Sequence, residues 1–476
     1  MKEINCLTLC AFLFIALDGM AQNNSEKLAD QVQQAANAVN AAKGLFKKKE
    51  KPNTAVAQQP AGATSAAPAP GNDNIKVAGL IDATTKSLDC DELMPFRHGV
   101  AIIKKGKTCA LIDSAGKFVV PFGRYASIES KGNGFPGAPF FKVTPMDSYD
   151  VLYINPAGNV VFDEATLNRQ GYSNAGFSDD LQYLVTTVSK TLQYILIDRN
   201  GKRTSISAAN RVIPYIGEGI YIYGGKGGYG VNSISTNAAI FPPNFVSISP
   251  FFHGYAIYSK ISEFGDEKYG ILNKAGKIIT PPIYSSRPDM LKNGMIRVSS
   301  AKGADFDWAY LNHTGKILYK RTQATAAQHD DFLYYQENYA ISGQGKNFMM
   351  DTTGKVISQN DFFISIGLLA ANTKGFTGLR LLENAHAEYY NDGLLRFTKT
   401  GSGVPIYGVC DPKGKTVLLG NFEDGLSLWF DPISTLSYAK INTGKKDNSG
   451  HIIFNEGYIN REGKFVFLKG KSKSDF

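Results

Sequence analysis

Gly225-Lys226-Gly227-Gly228-Tyr229-Gly230 spells G-x-G-x-x-G, the spacing with which a glycine turn seats a dinucleotide pyrophosphate on a helix N-terminus. That chemistry requires a helix to open from the loop. Here VNSISTNAAIF follows, a strand-turn-strand segment, and the six residues read as a hairpin loop. The segment from Gly408 to Thr416 comes close to a phosphate-cradling loop, but five residues separate its glycines where four are needed, and Pro412 occupies the turn.

The histidines His98, His253, His313, His329, His386 and His451 have neither helical spacing nor a cysteine partner, so the sequence predicts no metal site and no cofactor. His98 and His253 share one slot before a glycine, a structural position, and the compact His329-Asp330-Asp331 group is set aside. The serine-hydrolase elbow G-x-S-x-G is missing. Paired carboxylates for glycoside cleavage depend on separation in space and stay open as a reading. The remaining candidates are the aromatics Tyr221, Tyr223, Tyr255, Tyr258, Tyr334 and Tyr335, which could offer a face to a sugar or protein. The competing reading places alternate members in the core.

The elements that position these residues recur. An apolar strand ends in Asp or Asn, Gly-Lys or a near relative follows, and a second apolar strand begins. ALIDSAGKFVVP, ILNKAGKIITPP, MMDTTGKVIS and YINREGKFVF are four instances. The Gly slot falls at 85, 116, 158, 201, 237, 276, 315, 354, 414 and 463, in steps of 31, 42, 43, 36, 39, 39, 39, 60 and 49. A period near forty residues marks a repeat architecture. The two long steps mark irregular inserts near 360–390 and 426–452, where a specialised site is most easily added.

Asx-x-x-Gly between two strands is turn chemistry. The Asx side chain accepts a backbone N–H at the first position of a type I turn, and the fourth residue takes a left-handed conformation that Gly or Asn tolerates. Asn237 in the Gly slot fits the same rule. About twenty residues before each turn comes a Gly followed by an alternating strand, as in HGVAIIKK, EGIYIYGG and HGYAIYSK, so each unit holds about three short strands. No unit can bury its own apolar face, and neighbours must do so.

The stretch from Tyr269 to Tyr284, YGILNKAGKIITPPIY, resembles the WG-repeat family: an aromatic-Gly pair, Asx-x-x-Gly-Lys, an apolar strand, then Pro-Pro-x-Tyr. Tyr229-Gly230 and Tyr407-Gly408 keep the pair. Trp308-Ala309 keeps only the Trp, whereas Cys109-Ala110 and Tyr194-Ile195 depart from it. The resemblance spans about 75–470 and implies an all-β repeat scaffold of exported bacterial proteins, with no catalytic residues to carry over.

The ends differ from the repeats. Residues 1–21 read as a cleaved signal peptide: a charged start, the apolar run CLTLCAFLFIAL and a small residue before Gln22. Residues 22–50 read as a short amphipathic helix, with Leu28, Val32, Ala35, Val39, Ala42 and Phe46 on a heptad seam through which copies could self-associate. Residues 51–74 form a Pro/Ala-rich linker. The net charge of +9 is concentrated in lysine clusters at both ends, read as solvated tails and not as a nucleic-acid surface. No run beyond the leader is long enough to span a membrane. Once the leader is removed, Cys90, Cys109 and Cys410 remain, and they read as buried free thiols.

The sequence therefore predicts an all-β protein of tandem hairpin repeats over 75–470. An open, solenoid-like array is preferred to a closed propeller-like ring. The expected function is non-enzymatic binding or scaffolding of a protein or polysaccharide at the bacterial envelope, in the periplasm, at the outer surface or secreted. The alternative is a glycan hydrolase with acids in the inserts.

Overall fold

The computed structural model describes residues 75–470, apart from 132–136, 174, 189–190, 192, 208–211, 226, 292–293, 300–305, 323–331, 333, 343–346, 374–376, 383–391, 401–405, 416 and 424–427. The expected signal peptide, heptad helix and linker lie outside the described residues.

Among the described residues thirty-six short strands form eight sheets, and all but two of the strand pairings are antiparallel neighbours in sequence. Seven sheets hold one repeat unit each. The seven-stranded sheet holds two, because the long strand Phe118–Ser130 closes unit one and opens unit two, which makes nine units. Unit five is representative: Ser247–Ile248, Tyr255–Ile261, Glu267–Asn273 and Ile278–Tyr284 run as a four-stranded meander. Two short helices follow the fourth strands of units two and seven, α1 (Glu164–Arg169) and α2 (Gln359–Ser365). Among the described residues no helix is long and apolar enough to cross a membrane.

The Asx turn joins the third strand to the fourth. In unit five, Asn273 Oδ1 accepts the amides of Ala275 at 3.1 Å and Lys277 at 3.0 Å, so one side chain satisfies two turn donors. The same double acceptance recurs at Asp113, Asn155, Asp198, Asn312, Asp351 and Asn460. The turn Gly has a second role that the turn alone does not reveal. At Gly315 (φ +82), a Cβ would lie 3.2 Å from Ile279 and 3.3 Å from Thr280, both on the fourth strand of the preceding unit. Each turn thus leans on its neighbour, and the glycine sets how close the units approach.

The core is built between units. Ile222, Val231 and Phe241 of unit four pack with Ala256, Tyr258 and Leu272 of unit five. Ile271 of unit five then packs with Ile296 and Leu311 of unit six, and the pattern continues around the chain. It ends where it began. Phe96, Ala101 and Ile112 of unit one share a cluster with Leu436, Tyr458 and Phe467 of unit nine, and Gly116 of unit one faces the Phe467 ring. The circuit of packing contacts closes, in place of the open array preferred from sequence. Closure removes the two apolar end faces that an open array would leave in water.

The first described residues complete this closure. Strand β1 (Ile75–Val77) pairs in parallel with Val417–Leu419 of unit eight, and β2 (Lys86–Leu88) with Phe467–Lys469 of unit nine. The landmark at Thr85 is the turn between them, with its amide bonded to the Asp82 carbonyl at 3.0 Å, and is not a tenth unit. Equivalent fourth-strand positions reveal the effect. Phe118, Val160, Ile278 and Ile317 are 48, 47, 45 and 39% exposed, whereas Phe465 is fully buried. Open edges are protected otherwise: Pro121, Pro242, Pro243, Pro281 and Pro282 lie on fourth strands and offer no N–H for pairing. A chain shortened to begin at residue 90 is expected to melt several degrees lower and to self-associate through the two bared edges, as measured by calorimetry and light scattering.

Candidate functional site

Three of the six tyrosines singled out from sequence are core residues. Tyr223 and Tyr258 stand directly opposite Gly230 and Gly270 on the adjacent strand, and their rings lie where a glycine Cβ would be, 2.7 Å away in each case. The aromatic residue of strand two and the glycine of strand three are one packing device, and Phe397 repeats it over Gly408. Tyr258 Oη donates to the Thr280 carbonyl at 3.3 Å. Tyr221 is also buried and donates to the Ser207 carbonyl at 3.1 Å. Tyr255 is half-buried, with its ring 6.0 Å from that of His313. Tyr334 and Tyr335 sit in the strand Tyr334–Gln336, and their side chains lie outside the described residues. Alternation turned these tyrosines inward because both faces of these strands are covered by neighbouring units.

The glycine-rich hexapeptide is the second hairpin of unit four, where Gly225 pairs with Gly228. The Walker-like segment is the third strand and turn of unit eight. Cys90, Cys109 and Cys410 are buried and free; burial pushes the Cys90 thiol up to about 11 and raises that of Cys410 as well. His98 and His253 take φ values of 53° and 51° in matching first-hairpin turns. His329 and His386 lie outside the described residues.

These first hairpins clasp successive units through acidic side chains. Asp180 accepts the Glu218 amide at 2.6 Å, Glu218 the Gly254 amide at 2.7 Å, Asp392 the Phe430 amide at 3.0 Å, and Asp431 the Gly99 amide at 3.0 Å. In unit seven the clasp is Glu337, approached by the amides of Asp392 and Gly393. Burial, and then the Asp392 carboxylate, push its carboxyl up to about 7. Between its ordinary value and about 7 the unfolded chain releases a proton that the folded chain keeps, so stability falls as pH rises through that window. Glu337→Gln is expected to remove this part of the pH dependence, seen as unfolding midpoints at about pH 5 and about pH 8 that no longer differ by it.

At four junctions a side chain bridges the space beside a turn. Asn155 Nδ2 donates to the Arg199 carbonyl at 3.2 Å, Lys274 Nζ lies 3.6 Å from Glu218, Arg461 donates to the Asp392 carbonyl at 2.9 Å, and Lys86 to that of Ala115 at 3.2 Å. Between units seven and eight the arrangement differs. Ile366, at the C-terminal end of α2, packs under Gly414, a place that the preceding fourth strand fills elsewhere. Ser358 caps α2, accepting the Asp361 amide at 3.0 Å, and Phe362 and Phe363 anchor it in the core.

With this wedge in place, a pocket of about 420 Å³ lies between the turns. It is lined by Asn338, Tyr339, Asp351, Thr352, Thr353, Asp411, Pro412, Lys413 and Lys415. Asp351 Oδ1 accepts from the Thr353 amide at 2.8 Å and the Thr353 hydroxyl at 2.6 Å, and Asp411 Oδ1 accepts from the Lys413 amide at 2.7 Å. Burial, and then the charges of Asp351 and Asp411, raise the Tyr339 phenol, which keeps its proton at neutral pH. The pocket therefore offers two carboxylates, two ammonium groups, hydroxyls and an amide. Asp411, Pro412, Lys413 and Lys415 lie in the segment that comes close to a phosphate-cradling loop, but none of the lining residues was taken from sequence as a binding residue, although the sixty-residue step between Gly354 and Gly414 flanks the pocket.

Residues 269–300 match the family model described as WG containing repeat. No curated protein resembles the chain in sequence. Among solved structures, the chain is similar to a eukaryotic initiation factor at 9% identity, over 80% of this chain and 88% of that one, with a TM-score of 0.34. It is also similar to the WD40 domain of Toxoplasma gondii coronin at 10% identity, over 51% and 72%, with a TM-score of 0.22. The virginiamycin B lyase of Staphylococcus aureus aligns at 13% identity, over 56% and 92%, with a TM-score of 0.21. Likenesses this slight carry nothing about what the chain does.

Proposed function

We propose that this is an exported, non-enzymatic repeat protein whose nine units form a propeller-like ring that binds or scaffolds a protein or polysaccharide at the bacterial envelope. The observation that carries this reading is the polar pocket opened by α2, the one place among the described turn junctions where the repeat's own packing is displaced. The described acids of the inserts support binding over hydrolysis, because Asp431 and Asp447 hold backbone amides and Asp361 accepts the Ser358 hydroxyl in the cap of α2. Asp431 Oδ2 accepts amides from Gly99, Ile433 and Ser434; Asp447 Oδ1 accepts those of Ser449 and His451; Asp361 lies in the first turn of α2. The leader sequence points to export, and the heptad seam of residues 22–50 to self-association.

The test is co-sedimentation of the full chain with insoluble envelope material, with assay of the supernatant for released sugar. Retention without product is the expected result. Released oligosaccharide, abolished by changing an acid of the inserts, would overturn the reading in favour of an enzyme.

A further inference from the structure

We infer that the pocket between units seven and eight is a binding site for a neutral, hydroxyl-rich ligand, a short saccharide. This rests on the reading of the protein as a binding scaffold and names the chemistry of one subsite.

Charge separates the ligand classes that the pocket could take. Asp351 of one turn and Asp411 of the other are matched in number by Lys413 and Lys415, so the lining is electrically balanced. An anion would meet two carboxylates, and a metal ion two ammonium groups; either pair would cost it much of what the opposite pair contributes. A neutral ligand carrying many hydroxyls meets no such conflict, because each hydroxyl both donates and accepts. Carboxylates accept from it, ammonium groups donate to it, and the Asn338 amide does both.

The arrangement is also fixed before a ligand arrives. The turn amides and the Thr353 hydroxyl hold Asp351 Oδ1, and the Lys413 amide holds Asp411 Oδ1, so both carboxylates are set in place by the repeat turn itself. The carboxylates therefore need little ordering on binding, and the entropy cost falls on the exposed Lys413 and Lys415 side chains. The Tyr339 ring is fixed from behind by Phe362 of α2, with ring centroids 6.4 Å apart. At about 420 Å³ the pocket falls within the size range of small-molecule sites, roughly 300–1,000 Å³. The other turn junctions described above offer the same turn chemistry but are occupied by bridging side chains.

The experiment titrates the full chain with maltose, with the N-acetylglucosamine disaccharide, with inorganic phosphate and with calcium, following heat and ligand-observed NMR. Saturable binding of a saccharide is expected, weakened about tenfold by Asn338→Leu or Lys413→Met, the loss of about one hydrogen bond to a polar or charged group. Lys274→Met, at a bridged junction, should leave it unchanged, and circular dichroism checks that each variant is folded. Binding of phosphate or calcium at these residues, in place of sugar, would overturn the inference. So would saccharide binding that survives both pocket variants. If neither sugar binds while envelope material is still retained, the pocket assignment fails and the scaffold reading stands. If sugar binds at the pocket but envelope material is not retained, the pocket assignment stands and the scaffold reading fails.

Discussion

Arg396→Ala is expected to destabilise the protein by about 3–5 kcal/mol, the largest effect of any single change considered, because it leaves the Asp392 carboxylate buried without its partner. Arg396 is 1% exposed, and its Nη2 lies 2.6 Å from Asp392 Oδ2. The guanidinium also donates to the Leu428 carbonyl at 3.1 and 2.8 Å, to Asp392 Oδ1 at 2.9 Å and to the Leu394 carbonyl. The backbone is stitched into the same network. Gln336 of unit seven accepts the Arg396 amide at 2.6 Å and donates to its carbonyl at 3.0 Å, and Asp392 accepts from Phe430 on the way to unit nine. Three units meet at this pair, so its loss should loosen the packing of units seven to nine.

Removing both charges is a different experiment. Arg396→Met combined with Asp392→Leu leaves no buried ion, and is expected to recover a substantial part of the loss. Urea unfolding of the single and double variants checks both. A double variant no better than Arg396→Ala alone would mean that the cost lies in the lost carbonyl contacts and not in the stranded charge.

Gly270→Ala is the second large expectation, a loss of about 1–3 kcal/mol from overpacking. The added Cβ would sit 2.6 Å from the Thr280 carbonyl oxygen and 2.7 Å from the Tyr258 ring. A carbonyl in a paired strand cannot move aside as a side-chain tip can. Tyr258→Leu added to Gly270→Ala should therefore relieve only the ring contact and return part of the stability. Thermal unfolding of the two single variants and the double, read as a cycle, separates the two contributions. Additive losses would show that ring and glycine do not form one device.

Much of the fold was legible in the sequence because the repeat turn is a local object. Asx at the first position and Gly at the fourth satisfy the turn's donors and its left-handed residue within five residues of chain, and every such landmark fell where a hairpin or hairpin-like turn forms. The inward or outward sense of the tyrosines was not legible. Alternation along Tyr221-Ile222-Tyr223 predicts one wet face, yet both faces are dry, since neighbouring units cover each sheet on both sides. The pocket was legible only as a long step in the period. Its residues belong to ordinary repeat turns, and what distinguishes them is Ile366, brought beneath Gly414 from a helix elsewhere in the chain.

The sequence by itself determined the units: their number to within one, their turns, and the aromatic-glycine pairs, of which Tyr269-Gly270 lies in the match to the WG containing repeat at 269–300. Those features depend on contacts within a few tens of residues, which composition and spacing encode directly. Only the tertiary structure decided that the circuit closes, that β1 and β2 seal the edges of units eight and nine, and which junction is left open as a pocket. Closure joins residues nearly four hundred positions apart, such as the Thr85 hydroxyl and the Phe465 carbonyl at 2.8 Å, and no local pattern records a contact at that separation.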